Sequence, residues 1–207
     1  MELTILKETP DYVVCVKPAG VESEHQLLSL LHTQIGWKDF YPVHRLDKET
    51  GGVMVVAKTK GSAGVLSRQV QQGELEKRYL AVVSGCPDPQ EGSFEDLLYH
   101  DRTKNKSYVV RRKRNGVKSA RLSYRVEAAL PDGLSLVRVQ LHTGRTHQIR
   151  VQFASRKMPL LGDRKYGGPN GDFFGLWAQE LSFADPVGGR WLTFTAFPDW
   201  AILNHIE

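Results

Sequence analysis

The stretch His44-Arg45-Leu46-Asp47-Lys48-Glu49-Thr50-Gly51-Gly52-Val53-Met54-Val55-Val56-Ala57 decides how the rest of the chain is read. Its second half, Val53 to Ala57, is apolar at every position. That is the pattern of a strand covered on both faces, so it is expected at the centre of a sheet. Its first half delivers one carboxylate, Asp47, between Arg45 and Lys48, directly before that strand. An aspartate in a loop commonly caps a helix or makes a turn. Cationic neighbours beside a central strand would instead hold it ionised and fixed, fit to act as a nucleophile or a base.

Working outward, residues 3–7 and 12–16 are short β-branched runs separated by Glu8-Thr9-Pro10-Asp11, which predicts an edge hairpin. Leu27, Leu28, Leu30 and Leu31 give residues 24–32 one apolar helical face, and Ala63, Leu66 and Val70 do the same for 62–72, with Gly73 placed to end that helix. Strands are expected at 78–83, 107–110, 121–128 and 134–141, and a helix at 145–153. The glycine-rich final third reads as loops and hairpins closing on a strand at 191–194. The fold class is therefore α+β, with helices packed on a mixed, mainly antiparallel sheet in one domain spanning 1–207.

With 207 residues, 41% of them hydrophobic, the chain can bury a substantial core. Charged residues within 1–17 exclude the apolar core of a signal peptide, and no run is long enough to cross a bilayer, so a cytoplasmic protein without a membrane partner is expected. Cys15 and Cys86 lie in separate hydrophobic stretches with no metal-ligand spacing, and both are expected to be buried reduced thiols. His142 and His147 are five apart with no third ligand evident, so no metal site is expected.

The net charge of +5 is unevenly spread. Residues 102–121 hold nine of the 28 lysines and arginines and no acid, leaving 19 cations against 23 acids elsewhere. A solvated charge run is the bland reading. The interleaved Tyr108 and the basic turn Arg111-Arg112-Lys113-Arg114-Asn115-Gly116 favour a hairpin that grips phosphates. A second cation, Arg150, sits in the apolar segment Gln148-Ile149-Arg150-Val151, where an unpaired guanidinium would be costly to bury. Pairing it with Asp47 would be charge-assisted and would aim the carboxylate.

HRLDKETGG at 44–52 resembles the HRLDxxTSG active-site loop of the RluA-type pseudouridine synthases. Four further segments extend the resemblance across nearly the whole chain: TGRTHQIR at 143–150, KRYLAVVSG at 77–85, PLLGDRKYG at 159–167 and DYVVCVKPAGV at 11–21. The resemblance implies a sheet crossed by an active-site cleft and an enzyme that isomerises uridine to pseudouridine in transfer RNA, large-subunit ribosomal RNA or both, with no cofactor. It implies that Asp47 is the catalytic aspartate, attacking C1′ or acting as a base at C2′, that Arg150 pairs with it, and that Tyr79 stacks on the base and helps remove the C5 proton. It further implies that Ile149 packs on the uracil. His44 and Arg45 are expected to hold the everted nucleotide or fill its gap, Arg145, Thr146 and His147 to contact the RNA, and Arg111, Arg112, Lys113 and Arg114 to do so by their concentrated charge. We expect a monomer, with no small RNA-binding domain ahead of Leu3. Gly51, Gln152 and Lys157 depart from the family pattern, which usually has serine, histidine and glycine there. The competing readings are a non-catalytic RNA-binding module and a carboxylate-dependent nucleosidase; the latter would want a second acid that the matching segments do not offer.

Overall fold

The computed structural model describes residues 1–205. In chain order the elements are β1 (Thr4–Glu8), β2 (Tyr12–Lys17), α1 (Gln26–Ile35), β3 (Tyr41–Pro42), β4 (Gly51–Ala57), α2 (Lys60–Gln72), β5 (Glu76–Ser84), β6 (Glu91–Asp101), β7 (Lys106–Val110), β8 (Val117–Leu130), β9 (Leu134–Leu141), α3 (Gln148–Ala154), β10 (Leu176–Ala184) and β11 (Trp191–Thr195). The strands make a mixed, mainly antiparallel sheet with flanking helices, as the sequence predicts. The chain divides into two compact units: Met1–Arg78 with Trp177–Pro198, and Tyr79–Leu176 with the segment from Asp199 onward. No helix among the described residues is long and apolar enough to cross a membrane.

In the first unit β4 is buried along its whole length, between antiparallel β2 and parallel β10. The parallel contact is close because Gly51 and Gly52 lack side chains. A Cβ on Gly51 would enter the Trp177 ring, and one on Gly52, whose φ is +126°, would meet the Ala178 backbone. Tyr12, Val14, Val53, Val55, Leu66, Leu181 and Phe183 form the core beneath α2, each large side chain contributing about 1.5–3 kcal/mol of burial free energy. The helix begins where the Thr59 hydroxyl accepts from the Ser62 N–H at 3.2 Å, and ends at Gly73, whose φ of 75° is left-handed.

In the second unit β8 pairs antiparallel with β9 on one side and β6 on the other, and β6 pairs in turn with β7. Because β7 and β8 both run opposite to β6, they are parallel to each other. They are therefore not the two arms of a basic hairpin, which corrects the sequence expectation. Residues 111–116 instead form a strap from Val110, opposite Leu97, to Val117, opposite Tyr99, crossing a face of β6. The strand at 91–101 escaped sequence reading because its charges resemble a loop. One of them, Asp96, is neutralised by Arg156 at 2.9 Å and accepts from the Gln152 amide at 2.7 Å.

Other departures are local. β10 lies within the glycine-rich third that reads as loops, and with β11 it makes a hairpin. The first helix starts at Gln26 and runs to Ile35. The helix expected from Arg145 begins only at Gln148, after His147 in a left-handed conformation at φ 54°. The backbone of 143–147 is committed elsewhere: the Gln148 carboxamide oxygen accepts from the Arg145 N–H at 3.0 Å and the Thr143 hydroxyl at 2.8 Å, and the Thr146 carbonyl accepts from Ser107 Oγ at 2.6 Å. Cys15 is buried, whereas Cys86, in the turn after β5, is exposed.

Candidate active site

Asp47 lies in the loop leading into β4, and the backbone on both of its sides is fastened. Before it, the Ser23 hydroxyl accepts from the Leu46 N–H at 3.1 Å and donates to the Leu46 carbonyl at 2.9 Å. After it, the Lys48 carbonyl accepts from the Gly20 N–H at 2.8 Å and from Lys17 Nζ at 3.2 Å. Asp47's own carbonyl accepts from the Thr50 N–H at 3.0 Å, closing the turn. Thus neither flanking peptide can rotate without breaking a bond, and the carboxylate is carried on a fixed backbone.

Lys17 is fully buried, and its ammonium also donates to the carbonyls of Val21 at 2.6 Å and Pro18 at 3.0 Å. All three of its protons can therefore be directed at backbone oxygens of the two loops that flank the aspartate. Burial pulls its pKa down to about 8, against the opposing pull of Asp47, Glu49 and Glu22. It is a cation built into the loop support, and sequence reading passed over both it and Ser23. A lysine ending an otherwise apolar strand was the available signal.

His44 Nε2 accepts from the Val55 N–H of β4 at 3.2 Å, which places the ring proton on Nδ1. Burial, followed by the charge of Lys77, holds its pKa well below the usual histidine range, so it is neutral at pH 7. Its Nδ1 is buried with no hydrogen-bond partner among the described residues. Arg45 is exposed and reaches Glu24 at 3.5 Å, a surface pair of little energetic consequence.

The remaining site residues lie in the second unit. Tyr79 is on β5 and Ile149 on α3, both almost fully buried at 6% and 3% exposure. Arg150 is buried and bound in bidentate fashion by Asp163, Nε at 2.7 Å and Nη2 at 2.8 Å. Its guanidinium also lies 5.2 Å from the Tyr166 ring centre and 5.1 Å from that of Phe174. Sequence reading took the segment holding Asp163 as scaffold. Asp163 is a buried carboxylate that helps to make burial of Arg150 tolerable.

Tyr166 ties this arginine to the neighbouring sheet. Its hydroxyl donates to the Ser107 carbonyl at 3.2 Å and accepts from the Ser107 N–H at 2.8 Å. That spends its single proton, so His147 Nδ1 must be the donor across the 3.0 Å contact with the same oxygen. Arg145 Nε donates to the Ser119 carbonyl at 2.9 Å, and Thr146 is exposed beside it. Arg111, Arg112, Lys113 and Arg114 are all exposed on the strap.

The departures from the family pattern have local explanations. Gly51 is matched by the Trp177 ring lying against it. Gln152 is fully buried, its amide donating to Asp96 and to the Phe94 carbonyl. Lys157 adopts φ 63°, a left-handed conformation that favours glycine.

Comparison with known proteins matches the arrangement to one family. A model described as RNA pseudouridylate synthase matches residues 11–155. The dual-specificity RNA pseudouridine synthase RluA of Escherichia coli K12 is 33% identical over 208 residues, covering 96% of this chain and 94% of that protein. An uncharacterized RNA pseudouridine synthase of Aquifex aeolicus is 38% identical over 164 residues, 73% of this chain and 51% of that one. Among solved structures, human RNA Pseudouridylate Synthase Domain Containing 1 superposes with a TM-score of 0.80 at 25% identity, covering 96% of this chain and 84% of its own. The chain belongs to the RNA pseudouridylate synthase family, in its RluA-type branch, and is an RNA pseudouridine synthase.

Proposed function

We propose that the substrate is a specific uridine in transfer RNA, large-subunit ribosomal RNA or both, and that Asp47 is the catalytic residue. The observation that carries this assignment is the fastening of the backbone on both sides of Asp47 by Ser23, Gly20 and Lys17. A loop that only turned the chain would not need three separate anchors.

The reaction breaks the N1–C1′ bond, rotates the uracil within the site and joins C5 to C1′. The C5 proton is released and N1 regains one, so the product is an isomer of the substrate. The uridine must first leave its stack or pair, at a cost of a few kcal/mol. Asp47 then acts at C1′ as a nucleophile or at C2′ as a base. In this reading Arg150, already held by Asp163, supplies the cation that orients the carboxylate, and Tyr79 stacks on the uracil and assists loss of the C5 proton. Ile149 forms part of the uracil wall. His44 offers a neutral N–H donor and Arg45 a mobile cation to the everted nucleotide. Arg145, Thr146, His147 and the basic strap bind the surrounding RNA.

The test is Asp47→Asn, assayed by tritium release from RNA carrying 5-tritiated uridine and by RNA affinity in parallel. Affinity is expected to persist while tritium release disappears. Substantial turnover by the variant would remove Asp47 from the centre of the mechanism, and unchanged binding with no pseudouridine formed by the wild type would favour a purely RNA-binding role.

A further inference from the structure

The outward face of the β6–β7 pair carries two tyrosines, beside the basic strap, that the catalytic reading does not use. Tyr99 and Tyr108 are directly opposite each other across the pair, so their rings share one face. The opposite face holds His100, Ser107, Leu98 and Val109, which turn inward toward α3 and Tyr166. The strap that crosses β6 lays Arg114 over Tyr99, with the guanidinium carbon 5.0 Å from the ring centre. Gly116, with φ +80°, sits close enough that a Cβ there would be 3.6 Å from the same ring. Tyr108 is 36% exposed, and Lys106 Nζ lies 5.9 Å from its ring centre. Of the acids on this face of β6, Asp101 accepts from the Lys104 N–H at 3.1 Å and so is tied into the turn, and Glu95 stands opposite Arg121 of β8.

Two flat surfaces therefore lie side by side, a phenol ring and a guanidinium backed by a second phenol ring, among the exposed cations Arg111, Arg112 and Lys113. Aromatic rings and arginine planes are the surfaces on which unpaired bases stack, and neighbouring cations take the phosphates between them. A paired helix keeps its base faces stacked inside, offering phosphates, 2′-hydroxyls and base edges, and would leave such planes unused. An acidic peptide would satisfy the charges but not the rings.

We propose that the Tyr99–Arg114–Tyr108 face is a second RNA subsite that stacks unpaired nucleotides of the bound RNA. The proposal rests on RNA being the partner, but not on Asp47 being catalytic. Its test therefore uses a ligand without uridine: a short fluorescein-labelled oligoadenylate, compared with an abasic oligomer of equal length and charge, titrated against the intact protein at fixed salt. The wild type is expected to prefer the oligoadenylate by about fivefold or more, the effect of one stacked base. Tyr108→Ala, and separately Arg114→Lys, which keeps the charge but removes the plane, are expected to bring that preference close to unity. Affinity for the abasic oligomer should change little in either variant.

Thermal melts of both variants distinguish loss of stacking from loss of fold, because a pair that served only the sheet would lower the melt and leave the base preference intact. That result would overturn the proposal. So would equal wild-type affinity for both oligomers, or polyglutamate binding as tightly as oligoadenylate, which would make the face a general anion surface. Because no step of the assay involves isomerisation, an inactive enzyme that retained the preference would sink the catalytic assignment and leave this one standing.

Discussion

Replacing Asp163 with asparagine tests the support of Arg150 most directly. The two side chains are only 1% and 4% exposed, so water cannot take the place of the lost carboxylate. Two charge-assisted bonds, at 2.7 and 2.8 Å, connect them. Each such bond is worth about 1.5–3 kcal/mol. An amide can accept one of them but must turn its own N–H groups toward the other guanidinium proton. Breaking a buried pair from one side costs about 3–5 kcal/mol, and the faces of Tyr166 and Phe174 would return only about 0.5–2 kcal/mol of cation–π attraction that is already present in the wild type. The expected loss for Asp163→Asn is therefore about 3–5 kcal/mol, read from urea midpoints at unchanged slope. Arg150→Met should cost a similar amount and abolish tritium release. In the double variant no charge is left buried, so the two losses should fall short of additivity by about 2 kcal/mol or more. Additive losses, or an Asp163→Asn variant within about 1 kcal/mol of wild type, would refute the argument that this carboxylate is what permits the arginine to be buried.

Three further outcomes are expected. Lys17→Met should destabilise by about 2–4 kcal/mol at pH 7, because three backbone carbonyls lose their donor. With its folded pKa at about 8 against an ordinary 10.5, Lys17 binds fewer protons in the folded state than in the unfolded state between those values, so wild-type stability gains relative to the variant as pH rises through that window and is flat below it; a gap that narrowed with rising pH would contradict the placement. Gly51→Ser, which restores the family's usual residue, should cost about 1–3 kcal/mol by overpacking against Trp177, and trimming that ring in Gly51→Ser/Trp177→Leu should recover part of the loss in thermal denaturation. Lys157→Gly should raise stability by about 0.5–1 kcal/mol by relieving a left-handed backbone, and no gain in chemical denaturation would count against strain at that position.

What was legible in the sequence follows from how local the causes are. The β1–β2 hairpin, the central strand β4, helix α2 and strand β9 are specified by periodicity and by turn residues a few positions away, and each was found close to its observed bounds. Strand β6 was missed because the charge on Asp96 is cancelled by Arg156, just past the end of α3 and 60 positions downstream, and no local rule can count a partner that distant. The same reason concealed Asp163, whose partner is on α3, and the true course of the basic segment, which depends on β6 lying between β7 and β8. The motif residues of the site were visible as motifs, whereas Lys17 and Ser23 hold the Asp47 loop by contacts to backbone atoms, and beyond the lysine that ends an apolar strand the sequence offers no pattern for them.

The single phenolic oxygen of Tyr166 meets both backbone groups of Ser107. These are the groups that β7, with β6 on one side only, would otherwise offer to a stray strand from another molecule. The tyrosine thus works as a plug near the start of a five-residue edge, discouraging intermolecular sheet growth from the flank of the protein that also bears its densest positive charge. Solubility and the packing of Arg150 are consequently linked through one side chain, whose hydroxyl holds the strand edge and whose ring faces the guanidinium, and a change there would be felt as aggregation as well as in stability.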